Sequence, residues 1–142
     1  MLVGRRQSVL DSAVKELGEK AMYEVYDITE RDKSEELVER ISKRAGAISV
    51  LVNNAGILLK KPFTETTSRE FFSVFNTHVL ASSCLTRAVV PKMLARRRGS
   101  ILFMASMTSL IGICPWSPPT LPQNQRFWGL FSLRAFPQRV FA

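Results

Sequence analysis

Ile48-Ser49-Val50-Leu51-Val52-Asn53-Asn54-Ala55-Gly56-Ile57 is the stretch that decides the fold of this chain. Residues 48–52 form a short apolar run rich in β-branched side chains, the pattern of a buried strand. Asn53-Asn54-Ala55-Gly56 closes it with residue types that tolerate positive φ and favour turns. A strand of this kind belongs to a sheet covered by helices, so the flanking sequence should alternate between helical and strand patterns.

It does so on both sides. Upstream, Val9, Leu10, Ala13, Val14 and Leu17 recur at helical spacing and Gly18 follows as a stop signal, which predicts a helix over 7–17. Ala21-Met22-Tyr23-Glu24-Val25-Tyr26 predicts a strand ending at Asp27. Thr29 with Asp32 resembles a capping box opening a second helix through about Ala45. Downstream, a loop with Pro62 leads to a long helix over 68–97, with Phe71, Phe72, Phe75, Val79, Leu80 and Leu85 among its apolar positions and Gly99 as its stop. Ser100-Ile101-Leu102-Phe103-Met104-Ala105-Ser106 predicts a further strand. Strands alternating with helices imply βα units and a parallel sheet, so the class is α/β.

The chain has 142 residues, the length of one domain, with 46% apolar and 23% charged residues, which excludes wholesale disorder and fibrous or disulfide-stapled scaffolds. Cys84 and Cys114 set no disulfide framework and fit a reducing compartment, so a cytoplasmic location is expected. Net charge is +8, distributed unevenly: residues 1–70 hold twelve bases and twelve acids, whereas 71–142 hold eight bases and no acid. A nucleic-acid binder would spread its charge over a folded face. Here Arg96-Arg97-Arg98 sit where a helix C-terminus favours cations, and nucleic-acid binding is not expected. The apolar-rich residues 101–116 are interrupted by Ser106, Thr108, Ser109 and Pro115 and fall short of the ~20 residues of a membrane span. No signal-peptide core precedes Arg5, and no metal-ligand spacing occurs.

Directly after its apolar strand, Leu51-Val52-Asn53-Asn54-Ala55-Gly56-Ile57 resembles the Asn-Asn-Ala-Gly signature of the short-chain dehydrogenase/reductase family, in the manner of its 3-oxoacyl reductases, over about residues 2–113. The resemblance implies a Rossmann-type fold that transfers hydride between NAD(P)H and a small-molecule carbonyl or alcohol. It implies that Asn54, Ala55 and Gly56 line the cofactor crevice and that Asp27 contacts the adenine ring, the alternative being a plain strand-end turn residue. Arg5 and Arg6 match the end of the family's second strand, where guanidinium pairs with the 2′-phosphate and favours NADP, the alternative being ordinary surface arginines. Ser106 matches the serine that holds the substrate carbonyl.

The remaining family positions are filled differently. The general-acid tyrosine, expected thirteen residues after Ser106, is Pro119, and the lysine four beyond is Gln123. The helix asparagine, 28 residues before Ser106, is His78, and Asn76 lies on a different helix face. The last tyrosine is Tyr26 and the last lysine Lys92, so no shifted alignment restores the pair. Gly4 is the only glycine before Gly18, too few for the turn that cradles a pyrophosphate.

The expected organisation is therefore a partial NAD(P)-binding Rossmann-type domain over 1–113, with about four strands and without the family's first, and an irregular tail over 114–142. Clustered prolines after Cys114 block the family's next helix, and the tail reads as coding sequence continued past its exon or in a shifted frame. In the doubly wound order the missing strand is central. Either Leu2–Gly4 pairs directly with 48–52, or buried ladder groups beside a gap stay unpaired at about 1–3 kcal/mol each. The expected function is that of a fragment of an NADP-dependent oxidoreductase, inactive as written. The alternative is an interaction module that binds family subunits, as a homo- or hetero-oligomer, through helix 68–97. The apolar residues of that helix would otherwise only cover the chain's own sheet.

Overall fold

A computed structural model describes residues 1–59, 63–106 and 128–134, with residues 63, 106 and 128–134 described through their backbone alone. In chain order the elements are β1 (Leu2–Gly4), α1 (Gln7–Leu17), β2 (Tyr23–Val25), α2 (Ser34–Ala45), β3 (Val50–Asn53), α3 (Ser68–Phe75), α4 (Ala81–Ala95), β4 (Ser100–Ser106) and β5 (Trp128–Arg134). A π-helical turn, Asn76–Leu80, joins α3 to α4, and a 3-10 turn, Arg31–Lys33, precedes α2.

The fold is α/β, as the alternation of patterns predicts. α1 coincides with the predicted helix and β4 with the predicted strand. α2 starts at Ser34, four residues later than a helix capped by Thr29 would. The reason is local: the Asp27 carboxylate accepts hydrogen bonds from the Thr29 N–H (2.9 Å) and hydroxyl (2.7 Å), which holds residues 27–29 in a turn ahead of the helix. The helix predicted over 68–97 is present in two α segments. Its start is fixed by a true capping box, with Thr67 Oγ1 accepting the Glu70 N–H (3.2 Å) and the Glu70 carboxylate accepting the Thr67 N–H (2.9 Å).

The strands form two sheets. β1 pairs parallel with β2, from Leu2 opposite Tyr23 to Gly4 opposite Val25. β3 pairs parallel with β4, from Val50 opposite Ser100 to Asn53 opposite Phe103. Among the described residues the two parallel pairs do not join, and Leu2–Gly4 does not pair with 48–52. Between them lies a cleft of about 690 Å³, lined by Leu2 and Val3 of β1, Val50 and Val52 of β3, and Leu37 and Ile41 of α2.

α2 spans the gap from below. Its Leu37 and Ile41 pack with Tyr26 beyond β2, while Val38 packs with Ala88, Val89 and Met93 of α4 and Ile101 of β4. Ile48 is packed against both groups.

The irregular tail expected over 114–142 contains a regular element. β5 runs antiparallel to β4 over its full length, from Ser106 opposite Trp128 to Ser100 opposite Arg134. Trp128-Gly129-Leu130-Phe131-Ser132-Leu133-Arg134 is rich in strand formers, and it satisfies the β4 edge that β3 leaves open. The expected poor packing of residues 107–127 and 135–142 concerns positions outside the described residues. Among the described residues no helix is long and apolar enough to cross a membrane.

Candidate functional site

In a parallel α/β sheet the ligand crevice lies beyond the carboxyl ends of the strands. The register of β3 and β4 puts Asn53 opposite Phe103, so Asn54-Ala55-Gly56 leave the sheet at the end toward which Ser106, three residues past Phe103, also runs. Asn53 itself is buried, 8% exposed, and its Nδ2 donates to Thr86 Oγ1 at 3.3 Å, tying the end of β3 to α4. Asn54 and Ala55 lie on the rim of the cleft.

Gly56 has a steric role. A Cβ built there would collide with the imidazole of His78, so the glycine lets the loop approach this ring closely without displacing it. His78 Nε2 lies 3.0 Å from the Ile57 amide nitrogen and 2.9 Å from the Ile57 carbonyl oxygen. One nitrogen serves one of these at a time: bare, it accepts the Ile57 N–H; protonated, it donates to the carbonyl. His78 is carried by the π turn, a geometry that recurs at functional sites. Asn76, in the same turn, has a buried Oδ1 with no hydrogen-bond partner among the described residues.

A second group gathers at the carboxyl ends of β1 and β2. Arg5 and Asp27 line a pocket of about 500 Å³ together with Glu30, Lys33, Glu36 and Arg40. Arg5 Nη1 stands 3.5 Å from Asp27 Oδ2. Burial pushes the Asp27 carboxyl up, but the two hydrogen bonds from Thr29 and the Arg5 guanidinium outweigh it, and the group is held below its ordinary value. Arg6 is exposed at the N-cap of α1 and makes no capping bond. The structure thus brings Arg5 to Asp27 and Gly56 to His78. Among the described residues no hydrogen bond or ion pair links the first group to the second.

The sequence reading missed the anchoring of Asn53 to Thr86 and of Ile57 to His78. Asn53 was visible as the first residue of the quoted turn; its partner 33 positions away was not.

These residues do not fit a whole dinucleotide. The adenosine end has partners of suitable chemistry in Arg5, Arg6 and Asp27. For the pyrophosphate there is no cradle among the described glycines: Gly18 and Gly46, at φ 87° and 78°, close α1 and α2, and Gly4 packs against Leu10. Neither tyrosine reaches the β3–β4 end: Tyr23 is in β2, and the Tyr26 hydroxyl donates to the Glu30 carbonyl.

Comparison with known proteins gives the family. Residues 1–118 match the family model for short chain dehydrogenases. The chain is 37% identical over 114 residues to the ketoacyl reductase HetN of Nostoc sp., covering 78% of this chain and 40% of that one. It is 36% identical over 106 residues to the 3-oxoacyl-[acyl-carrier-protein] reductase FabG of Thermotoga maritima, covering 72% and 43%. Among solved structures, L-sorbose reductase from Gluconobacter frateurii, complexed with NADPH and L-sorbose, superposes with a TM-score of 0.72 at 28% identity, covering 83% of this chain and 46% of that one. The chain spans less than half the length of these relatives. From its parallel βα units, the Asn-Asn-Ala-Gly turn after β3 and these matches, the chain belongs to the short-chain dehydrogenase/reductase family of oxidoreductases.

Proposed function

We propose that this chain is a piece of an NAD(P)(H)-dependent oxidoreductase for small carbonyl or alcohol substrates, NADP being the cofactor class, and that it does not turn over by itself. Residues 1–113 carry the family part and 114–142 the divergent tail, and the cytoplasm is the compartment that a chain with two cysteines and no disulfide framework suits. The observation that carries this reading is the whereabouts of the tyrosines and the last lysine. Tyr26 is bonded to Glu30 on the β1–β2 side, and Lys92 is paired with Glu39 at 2.5 Å. No acid of the right type follows Ser106, where Pro119 and Gln123 stand. Loss of a general acid alone costs about 10²–10⁴-fold in rate. In this reading Arg5 and Arg6 hold the 2′-phosphate, Asp27 the adenine edge, Asn54, Ala55 and Gly56 the crevice wall, and Ser106 the substrate carbonyl.

The test separates binding from turnover. NADPH oxidation by the purified chain with generic aldehydes and ketones should stay at background. Titration with adenosine 2′,5′-bisphosphate should show weak binding that the double substitution Arg5→Ala, Arg6→Ala removes. Measurable turnover, or binding indifferent to both arginines, overturns the reading.

A second reading is favoured by a specific observation. On α3, Phe71 and Phe72 are 53% and 65% exposed and meet edge to face with ring centroids 6.4 Å apart, and Phe75 and Val79 are also exposed. These side chains do not cover the chain's own sheet, so the region 68–97 supports docking to a family subunit, either another copy or a longer relative. Sedimentation of the chain alone and mixed with the Thermotoga reductase would detect such a complex, and Phe72→Glu should abolish it.

A further inference from the structure

The pattern Arg-Arg-x-Ser followed by an apolar residue occurs twice in the chain, as Arg5-Arg6-Gln7-Ser8-Val9 and as Arg97-Arg98-Gly99-Ser100-Ile101. Two guanidinium groups ahead of a serine and an aliphatic side chain behind it suit the groove of an arginine-directed serine kinase, where acidic side chains take the cations and an apolar pocket takes the next residue. Such a groove needs the segment extended and clear of its own fold, so that the hydroxyl reaches the γ-phosphate. By sequence the two serines are equal candidates; by structure they are not.

Ser100 opens β4 and is held there. Its N–H donates to the Ser49 carbonyl at 2.9 Å, and it stands opposite Val50 of β3 on one side and Arg134 of β5 on the other. Ile101 behind it is buried in the cluster with Val38 and Met93. Freeing this segment means parting β4 from both neighbours and emptying part of the core.

Ser8 is the second residue of α1 and is exposed, as are Arg5, Arg6 and Val9. Arg6 is already extended, at φ −101° and ψ 101°. The Ser12 hydroxyl donates to the Ser8 carbonyl at 3.0 Å, a bond in which the Ser8 hydroxyl takes no part. Lifting residues 7–9 costs one terminal turn, in which the Val9 and Leu10 N–H groups share the Arg6 carbonyl at 3.2 and 3.1 Å. Leu10, buried, keeps the rest of the helix docked.

The start of α1 also suits a phosphate. No side chain caps it and no acid stands in its first turn, which leaves the positive end of the helix dipole without a counter-charge. A phosphate on Ser8 supplies that charge close to Arg5 and Arg6 in the chain. Asp11, three residues on, opposes it more weakly.

We propose that Ser8 is a phosphorylation site for an arginine-directed serine kinase, that the fold withholds Ser100 from the same kinase, and that the phosphate caps α1. In the transfer Ser8 Oγ bonds to the γ-phosphorus of ATP held by the kinase. The bond from that phosphorus to the bridging oxygen breaks, ADP leaves with its electron pair, and the hydroxyl proton passes to the kinase's base. The inference goes beyond the oxidoreductase reading and requires neither cofactor nor turnover.

The test uses the full chain, ATP and the catalytic domain of a kinase that phosphorylates free peptides of both sequences, 3–12 and 95–104, with the modified serine read by mass spectrometry. In the folded chain Ser8 should be labelled at least about a hundredfold faster than Ser100, equivalent to about 2.8 kcal/mol. Arg6→Ala should slow labelling of Ser8 at least about tenfold, and Ser8→Ala should remove it. Amide hydrogen exchange at 7–10 should be slower in the phosphorylated chain than in the unmodified one. Labelling of Ser100 as fast as Ser8, a rate at Ser8 indifferent to Arg6, or an unlabelled Ser8 in a chain whose peptide 3–12 is labelled would overturn the site. Exchange at 7–10 that is unchanged or faster after phosphorylation would overturn the cap.

Discussion

On one side of the cleft β2 is tied to α2 by charge; on the other β4 is tied to α4 by packing. The Glu24 carboxylate of β2 takes Arg40 Nε at 2.9 Å and Arg44 Nη1 at 2.5 Å, and Arg40 reaches on to Glu36 at 2.7 Å. The opposite side has Val38, Ala88, Val89, Met93 and Ile101 in one buried cluster, with the ion pair of Lys92 and Glu39 at its rim. The two sides share one helix. α2 sends its arginines to β2 and its Val38 to α4, and its Leu37 and Ile41 sit under the cleft between. Exposed ion pairs contribute ~0–1 kcal/mol each, whereas a buried aliphatic side chain contributes several-fold more. The difference therefore assigns roles: packing stabilises, and charge orients α2 against β2.

The largest effects should come from the apolar side of this contrast. Leu37→Ala and Met93→Ala, each at a side chain 1% exposed, should each cost about 3 kcal/mol in denaturant unfolding. Because α2 bridges the halves, both substitutions should lower one shared transition; two separate transitions would show that the half-sheets unfold independently.

An intermediate effect is expected at the loop that closes the β3 side. Gly56→Ala drives a methyl group into the His78 ring and should cost about 2 kcal/mol. In the double variant with His78→Ala the combined loss should be smaller than the sum of the single losses. Strict additivity would mean that the two residues do not meet.

The smallest effect sharpens the charged side. Glu24 is held below its ordinary carboxyl value, first by the hydrogen bond from Arg40 and then by Arg44, against the opposing push of burial. A depressed folded value means that its contribution is complete above the unfolded value near 4.5 and is lost as pH falls through the lower folded value. Glu24→Gln should thus cost about 1 kcal/mol at neutral pH, and the gap between variant and parent should close on acidification below that point. A gap that stays constant down to acid pH would remove Glu24 from the account.

Much of the fold was legible because it is local. The spacing of Val9, Leu10, Ala13, Val14 and Leu17, with Gly18 behind, delimits α1, and the apolar run after Gly99 delimits β4. The start of α2 was not legible, because the sequence does not say that Asp27 holds Thr29 in a turn ahead of the helix. The exposure of Phe71 and Phe72 was equally hidden, since apolar residues in a helix mark a sheet-facing stripe and a docking face alike. At the site, Asn54, Ala55 and Gly56 are readable from their position after an apolar strand. The contact of His78 with Ile57 joins residues 21 apart and exists only once the π turn has formed.

That turn also sets a phase. An α-helix advances about 100° per residue, and a π turn accommodates one residue more within a single turn. The wide turn at Asn76–Leu80 therefore fixes the angle between the phenylalanines of α3 and the buried Ala81, Ala88, Val89 and Met93 of α4. Deleting one residue there would let the turn close as ordinary α-helix and leave the aromatic face near its present angle, whereas the same deletion within α3 or α4 would rotate part of the helix by roughly 100°. At this point in the chain a change of length is taken up without a change of direction, and the Phe71–Phe72 pair keeps its angle to the buried face of α4.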